Sequence, residues 1–190
     1  TNFSSDSGVY VAGTTQVRLL DSLLQGNYSG AHFASGPSVL VSNSRFVGNA
    51  ANGLVASASG AGVTTKVEVS RSEASGNSSV GYYAGDASSG RVEFSLKDSV
   101  ASENTYGVYV DSLGGVSVAS VTGSLTSGNG GAGLLASGSG AKLVASGNTI
   151  TRNGVGLYQI SSAVLESAGD NVVRYNSITT TGTITAISKM

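Results

Sequence analysis

The stretch SNSRFVGNAANGLV, residues 42–55, decides the fold because its pattern returns along the whole chain. It contains an asparagine, Asn49, that is followed four residues later by a glycine, Gly53, and then by apolar residues. Seven asparagines hold the equivalent position: Asn27, Asn49, Asn77, Asn104, Asn129, Asn153 and Asn176. Six of them precede a glycine by three or four residues: Gly30, Gly53, Gly81, Gly107, Gly133 and Gly156. The asparagines are separated by 22, 28, 27, 25, 24 and 23 residues, and this elastic period predicts a solenoid in which each repeat is one turn and the loops absorb the differences in length.

Apolar and polar residues alternate within each repeat, as in the run Val67-Glu68-Val69-Ser70. A period of two is that of a β-strand and not of a helix. Three short strands per repeat, each paired in parallel with the next repeat, predict an all-β, single-stranded right-handed parallel β-helix of about seven turns of 22–28 residues. With strands about 4.8 Å apart, seven turns make a rod about 35 Å long.

The repeats also predict the extent of the β-helix and the nature of its ends. Residues 1–176 are predicted to form the turns, and residues 177–190 a closing strand or cap. In this last segment Thr179, Thr181, Thr183 and Thr185 alternate as in a strand, which would protect the open edge of the last turn. The chain begins at Thr1, part-way through a turn, so we expect an end-to-end contact or an upstream domain at the N-terminal turn.

The chemistry of asparagine predicts a structural role for the recurring residue. Asparagine tolerates the left-handed region of backbone conformation better than other non-glycine residues, so we expect it at a sharp bend between two strands. Its side-chain amide can hydrogen-bond to the amides one turn above and one turn below, which predicts a ladder of asparagines along the rod. The glycine that follows is predicted to supply a second permissive backbone position.

Composition excludes several classes of function. Charged residues make up 11% of the 190-residue chain, the net charge is −1, and the ten lysines and arginines are scattered singly, so no basic stripe is available for nucleic acid. There is no run of eighteen apolar residues, and a membrane span is not predicted. The absence of cysteine removes disulfides and thiol chemistry and is typical of exported bacterial proteins, which predicts a secreted, periplasmic or cell-surface location.

Three segments carry a resemblance to a known family. SNSRFVGNAANGLV (residues 42–55), SGNTITRNGVGLY (146–158) and SAGDNVVRYNS (167–177) resemble the repeats of the pectin-lyase-like superfamily of right-handed parallel β-helix proteins, in particular its uncharacterised secreted bacterial members. The resemblance extends from about Ser7 to Asn176. That superfamily includes polysaccharide lyases, glycoside hydrolases, epimerases, phage tailspikes and adhesins, so the resemblance implies a carbohydrate ligand but no single activity.

The carboxylates do not form the pattern that the enzymes of this superfamily use. Its lyases place a calcium-binding acidic cluster and a catalytic arginine or lysine on one outer face, and its hydrolases use two or three neighbouring aspartates. Aligned on the asparagines, Arg45 lies beside Glu73 and Arg71 beside Asp98, which predicts surface ion pairs. An enzyme is therefore not favoured, although a lyase or hydrolase with an unrecognised carboxylate site stays the alternative.

Two loop aspartates are the candidates for a metal site. Asp86 and Asp111 follow corresponding strands in successive repeats, where together with loop carbonyls they could hold Ca²⁺. Solvated side chains are the simpler interpretation of two exposed aspartates. Apart from this candidate calcium ion, no cofactor is predicted.

The tyrosine column is the surface feature with the clearest functional content. It lies two residues after the recurring glycine and contains Tyr10, His32, Val55, Tyr83, Tyr109, Leu135 and Tyr158. The preceding residues are apolar and are predicted to face the core, so this column is predicted to face outward with Tyr83 and Tyr109 stacked one turn apart. Such rings either stabilise the parallel strands or bind sugar rings, and the carbohydrate candidates are Tyr10, His32, Tyr83, Tyr109 and Tyr158. His32, the single histidine, could alternatively act as a general base.

These observations predict a non-catalytic structural or adhesive module that contacts extracellular polysaccharide through the tyrosine column. A rigid spacer or an assembly segment of a larger surface protein would have the same repeats.

Overall fold

The computed structural model of the protein describes residues 6–86 and 88–188, and of Asp86 it describes the backbone. In this part of the chain there are 23 strands, numbered β1 to β23 in chain order, and no helix. No helix that could cross a membrane is found in it. The strands form three sheets, A, B and C, that wrap around one hydrophobic core.

Each complete turn contributes one strand to each sheet. Sheet A consists of β1 (Ser7–Ala12), β4 (Ser29–Ala34), β7 (Leu54–Ala58), β10 (Val80–Asp86), β13 (Tyr106–Ser112), β16 (Ala132–Ser137), β19 (Val155–Ile160) and β22 (Ile178–Thr181). Sheet B consists of β2 (Gln16–Leu20), β5 (Ser38–Ser42), β8 (Thr64–Ser70), β11 (Arg91–Lys97), β14 (Val116–Thr122), β17 (Ala141–Ser146), β20 (Val164–Ala168) and β23 (Ile184–Ile187). Sheet C consists of β3 (Leu23–Gln25), β6 (Arg45–Val47), β9 (Glu73–Ser75), β12 (Val100–Ser102), β15 (Leu125–Ser127), β18 (Thr149–Thr151) and β21 (Val172–Arg174).

Strand pairing confirms the predicted parallel β-helix of about seven turns. Every strand pairs in parallel with the strand of its own sheet one turn away, as β1 does with β4, β2 with β5 and β3 with β6. The last two strands, β22 and β23, pair in parallel with β19 and β20. The C-terminal segment therefore prolongs sheets A and B beyond the seventh turn, and its protective role as a cap stays a prediction.

The predicted asparagine ladder is present along the whole rod. The backbone N–H of each ladder asparagine donates to Oδ1 of the next one, over 2.9–3.1 Å, from Asn27 through to Asn176. The side-chain Nδ2 donates to the same Oδ1 and, from Asn49 onward, to a carbonyl oxygen of sheet C in the preceding turn, as from Asn104 to Ala74. The amide thus ties three successive turns together, which explains why the residue recurs in every repeat.

The prediction that the asparagine itself adopts the left-handed conformation is wrong. The residue immediately before it does so: φ lies between 56° and 68° at Gly26, Gly48, Gly76, Glu103, Gly128, Arg152 and Tyr175. None of the seven ladder asparagines has a positive φ. The sharp bend is thus made by the preceding residue, and the asparagine, already past the bend, can direct its amide along the rod.

The recurring glycine after each asparagine is also needed for a different reason from the one predicted. Gly30 has no positive φ, so no left-handed conformation requires it. A Cβ atom at this position would lie 2.5 Å from the carbonyl oxygen of Gly53 and 3.1 Å from Nδ2 of Asn49. The glycine is required because the backbone of the next turn and the ladder amide pass too close for any side chain.

A second polar ladder runs beside the first, at the column five residues before each asparagine. The backbone N–H of Ser22 donates to Oγ of Ser44, and the same bond repeats from turn to turn up to Asn171. The serine hydroxyls donate in turn to a carbonyl two residues earlier, as Ser44 does to Ser42. At this second bend the small polar side chains therefore form hydrogen bonds with backbone N–H and C=O groups that have no partner in a neighbouring strand.

The core is a narrow apolar tube in which aromatic rings occupy the middle turns. Tyr82 is fully buried, and its ring centroid lies 6.4 Å from those of Phe46 and Phe94. Burial raises the pKa of the Tyr82 hydroxyl well above its ordinary value. Since residues one position later in sheet A point away from this tube, the core fixes which side chains reach the outer face.

Candidate functional site

The tyrosine column lies in one register along sheet A, as the alignment of the repeats requires. Its successive members are strand partners: Tyr10, His32, Val55, Tyr83, Tyr109, Leu135 and Tyr158. Their exposure is not uniform, because Tyr10 is 60% exposed whereas Val55 and Leu135 are only 8% and 3% exposed. These two buried members divide the predicted column into three separate groups.

The first group is at the N-terminal end, where Tyr10 and His32 are in contact. Their ring centroids are 5.3 Å apart and the rings meet edge to face, at 75°. The Nε2 atom of His32 lies 2.8 Å from the hydroxyl oxygen of Ser57. A shallow groove of about 320 Å³ adjoins the pair and is bordered by Asp6 and Tyr28. Burial lowers the pKa of His32 below its ordinary value of 6.5, so the imidazole is neutral at pH 7.

The lowered pKa of His32 predicts a pH dependence of stability. Between the folded pKa and 6.5 the unfolded chain binds more protons than the folded one, so stability rises with pH across this window and falls when the solution is acidified through it. The variant His32→Gln keeps a polar group opposite Ser57 and removes the titration. Unfolding by urea between about pH 7 and pH 5 should show wild type losing more stability on acidification than His32→Gln. Parallel curves for the two proteins would contradict the prediction.

The second group is larger than predicted and contains three tyrosines. The ring centroids of Tyr83 and Tyr109 are 5.4 Å apart at 79°, and those of Tyr106 and Tyr109 are 5.7 Å apart at 56°. The rings therefore meet edge to face or tilted, and not in the parallel stack that the column suggested. Two glycines make room for them: a Cβ at Gly85 would collide with the Tyr83 hydroxyl group, and one at Gly131 would lie 2.6 Å from the ring of Tyr106. We call Tyr83, Tyr106 and Tyr109 the aromatic patch.

A carboxylate lies at the hydroxyl end of the aromatic patch. The Tyr83 hydroxyl donates to the Asp111 carboxylate over 3.4 Å. Burial raises the pKa of the Tyr109 hydroxyl, a hydrogen bond with Ser137 opposes the rise, and the negative charge of Asp111 adds to it. Asp111 is partly exposed, so its charge reaches both the patch and the solvent in front of it.

The third group of the column is Tyr158 alone. Leu135 separates it from the aromatic patch, and Thr181 of β22 is its partner on the other side. Among the described residues no aromatic ring pairs with Tyr158. The predicted carbohydrate residues are therefore on one face and in one register, but they do not form a continuous row of rings.

The register of sheet A separates the two aspartates that were candidates for calcium. Asp111 is paired with Gly85, whereas Asp86 is paired with Ser112, so the aspartates hold strand positions of opposite parity. The side chain of Asp86 lies outside the described part of the protein. Among the residues that are described, no group of three or more histidine, aspartate or glutamate side chains could hold a metal ion. The calcium site stays a prediction.

The predicted ion pair in sheet C is confirmed, and the one at the neighbouring bend is not. Arg45 Nε lies 2.8 Å from a carboxylate oxygen of Glu73, and this guanidinium, together with the Ser75 hydroxyl, lowers the pKa of Glu73. Arg71 instead donates to the hydroxyl oxygen of Ser42 over 2.9 Å. At a left-handed bend the side chain of Arg71 turns toward the preceding turn, away from the following one.

Two further carboxylates, Glu68 and Glu93, lie on neighbouring strands of sheet B. Glu93 is bound by Arg91 at 2.7 Å and by Lys66 at 3.1 Å, and these cations lower its pKa. Glu68 is paired in register with Ser95, which lies two residues after Glu93 on β11. The two glutamates are therefore diagonal neighbours on adjacent strands. An open groove of about 420 Å³ lies between Arg18, Lys66 and Glu68. The two glutamates share one face of sheet B, but the cations bound to Glu93 favour its ionised form, which does not suit a general acid.

Tyr106 is the residue of the aromatic patch that the sequence alignment missed. It precedes Gly107 and so lies outside the column that follows the glycine. The signal that could have found it is Gly131, an additional glycine in the next repeat, whose missing side chain gives the Tyr106 ring its place. Asp111 was considered for a metal ion, and its proximity to the tyrosine hydroxyls follows from the register of β10 and β13.

Comparison with known proteins agrees with this architecture. A family model described as "Right handed beta helix region" matches residues 2–150. Neither a curated protein nor a solved structure matched the chain. The match extends over most of the chain and includes the aromatic patch and its glycines.

Proposed function

Because the chain belongs to the right-handed β-helix family, we propose that it is a non-catalytic module that binds a polysaccharide along the outer face of sheet A. The observation that carries this proposal is the aromatic patch. Its three rings are partly exposed, and the ring centroids of Tyr83 and Tyr106 lie 5.4 and 5.7 Å from that of Tyr109. Sugar rings stack on such side chains, and the tyrosine hydroxyls hydrogen-bond to sugar hydroxyls.

The rigidity of the patch supports its use in binding. The rings are held by each other, by the glycines beneath them and, for Tyr83, by the hydrogen bond to Asp111. Side chains that are already ordered lose little conformational entropy when a ligand binds, so more of the contact energy appears as affinity.

The spacing of the strands favours an extended ligand that runs along the rod. Successive turns are about 4.8 Å apart, close to the length of one sugar unit, and Tyr10 and Tyr158 are six turns apart, or about 29 Å. Tyr10 with His32 would contact one end of such a chain, the aromatic patch its middle and Tyr158 its other end. Affinity is then expected to rise with oligosaccharide length up to about six units.

The charges of the carboxylates support a non-catalytic role. A glycosidase needs two carboxyl groups that face one bond, one of them with a raised pKa so that it can donate a proton. Glu73 and Glu93 are instead bound by cations that lower the pKa of each. A lyase or hydrolase that uses Glu68, Glu93 or Asp111 stays the alternative.

Extracellular polysaccharide as the ligand implies that the protein is exported. The resemblance of the repeats to the pectin-lyase-like superfamily and the absence of cysteine support a secreted, periplasmic or cell-surface location. The net charge of −1 and the single, scattered lysines and arginines support a ligand other than nucleic acid.

A glycan-binding assay tests the proposal. We expect wild type to bind at least one oligosaccharide in a panel of about hexasaccharide length, and the double variant Tyr83→Ala, Tyr109→Ala to bind it at least about tenfold more weakly. Tyr175→Ala is the matched control, because Tyr175 is 85% exposed but lies in a bend after sheet C. The patch has no role in binding if the double variant and the control behave alike.

A depolymerisation assay on the same panel, with and without Ca²⁺, separates the alternatives. Product release that is lost in Glu68→Gln, Glu93→Gln or Asp111→Asn would identify an enzyme and overturn the non-catalytic proposal. Neither binding nor product release from any glycan would favour a rigid spacer.

A further inference from the structure

Sheet A differs from sheet B in the charge of its side chains. None of the eight strands of sheet A contains a lysine or an arginine, and their carboxylates are those of Asp86 and Asp111. The strands of sheet B contain Arg18, Lys66, Arg91, Lys97 and Lys142. A ligand on the face that holds the aromatic patch thus meets a carboxylate. The strands of this sheet provide no lysine or arginine.

This combination of groups discriminates between ligands of opposite charge. An ammonium group over the face of a tyrosine ring, within about 6 Å of its centroid, is attracted by the ring and here also by the Asp111 carboxylate at its edge. A carboxylate in the same place would face Asp111 with no cation of the sheet to offset the repulsion. The raised pKa of Tyr109, to which Asp111 contributes, agrees with a negative potential at the hydroxyl tips.

We infer, on the basis of the function proposed above, that the polysaccharide bound by the aromatic patch carries ammonium groups, as a polymer of amino sugars with free amines does. The tyrosine rings supply stacking to any sugar ring, and Asp111 supplies the preference for the cationic one. Acidic polysaccharides, such as polyuronates, are then excluded from this face.

The test measures the affinity of the wild-type protein for four β-1,4-linked hexamers. They are the hexamers of glucosamine, N-acetylglucosamine, glucose and mannuronate, titrated calorimetrically at about pH 5.5, where a free aspartate is ionised and the amines are protonated. We expect the glucosamine hexamer to bind about tenfold more tightly than its N-acetylated form and the mannuronate hexamer not to bind. The preference should shrink in about 0.5 M salt, because the charges are partly exposed.

Two charge variants test whether Asp111 causes the preference for glucosamine. Asp111→Asn keeps the size of the side chain and is expected to bind the glucosamine and N-acetylglucosamine hexamers with equal affinity. Asp98→Asn removes the same charge from an exposed bend and is expected to retain the preference. The double variant Tyr83→Ala, Tyr109→Ala should bind every hexamer more weakly.

The outcomes distinguish this inference from the function on which it depends. Tightest binding of the mannuronate hexamer, or a glucosamine preference that survives in Asp111→Asn, overturns the inference and leaves polysaccharide binding by the patch intact. Binding of none of the four hexamers overturns the inference and leaves the function to be decided by the wider oligosaccharide panel. Binding that the double tyrosine variant does not weaken overturns both.

Discussion

Replacing Asn104 with alanine is expected to lower the free energy of unfolding by about 3–5 kcal/mol, which is large for one side chain. Asn104 Oδ1 accepts hydrogen bonds from the backbone N–H and from Nδ2 of Asn77, both over 3.0 Å. Its Nδ2 donates to the carbonyl oxygen of Ala74 and to Oδ1 of Asn129, both over 3.1 Å. Alanine removes the partner of the buried Asn77 backbone N–H and the side-chain donor to the Ala74 carbonyl, and each such group costs about 1–3 kcal/mol. Asn77 Nδ2 keeps its bond to the Phe46 carbonyl, and Asn129 Oδ1 keeps the backbone N–H of residue 104.

Urea unfolding followed by circular dichroism measures this loss, and two further variants control for its cause. Asn43→Gly is expected to change stability by less than about 0.5 kcal/mol, because Asn43 is exposed and its φ of 52° suits glycine. Asn104→Asp keeps the accepting oxygens but loses the amide donor to Ala74, so it should be destabilised at neutral pH and partly recover in acid, where the carboxyl group can donate. A loss below about 1 kcal/mol in Asn104→Ala would contradict a structural role for the ladder.

The ladder was predictable from the sequence, but the backbone conformation around it was not. An amide that recurs once per turn can bond to its equivalents above and below, and this follows from the period alone. Which residue makes the bend does not follow, because asparagine is suited both to a left-handed backbone and to side-chain bonding. The bend is made by the preceding residue, such as Gly48, and even Glu103 and Arg152 adopt a positive φ there.

For the candidate site too, the strand register was predictable from the sequence, but the exposure and grouping of the side chains were not. Alignment of the repeats was enough to place Tyr83 beside Tyr109, because parallel strands with one residue per column keep the register of the repeats. It could not show that Leu135 of the same column is buried, since that depends on the side chains around it. Nor could it assign Tyr106 to the patch, because the space for its ring is provided by Gly131 in another turn.

Gly30→Ala is expected to destabilise the protein by about 2–4 kcal/mol, for a steric reason alone. The new Cβ would lie 2.5 Å from the carbonyl oxygen of Gly53 and 3.0 Å from a ring carbon of Phe46. The carbonyl of Gly53 accepts the backbone N–H of Ala31 over 3.0 Å, so it cannot retreat without loss of that bond. The same Cβ would crowd Nδ2 of Asn49, which would weaken the ladder in the neighbouring turn.

Gly48 provides the matched control, because its backbone has a positive φ while the space around it could hold a side chain. Its φ is +59°, and a Cβ there would meet nothing within 4 Å, so Gly48→Ala should cost about 1–2 kcal/mol through the backbone alone. Asparagine tolerates a positive φ, so Gly48→Asn should recover most of that loss, whereas Gly30→Asn should be at least as unstable as Gly30→Ala. Urea unfolding of the four variants decides between the two causes. Recovery of stability in Gly30→Asn would mean that residue 30 needs a backbone conformation, while its absence would show that the closeness of successive turns excludes every side chain there.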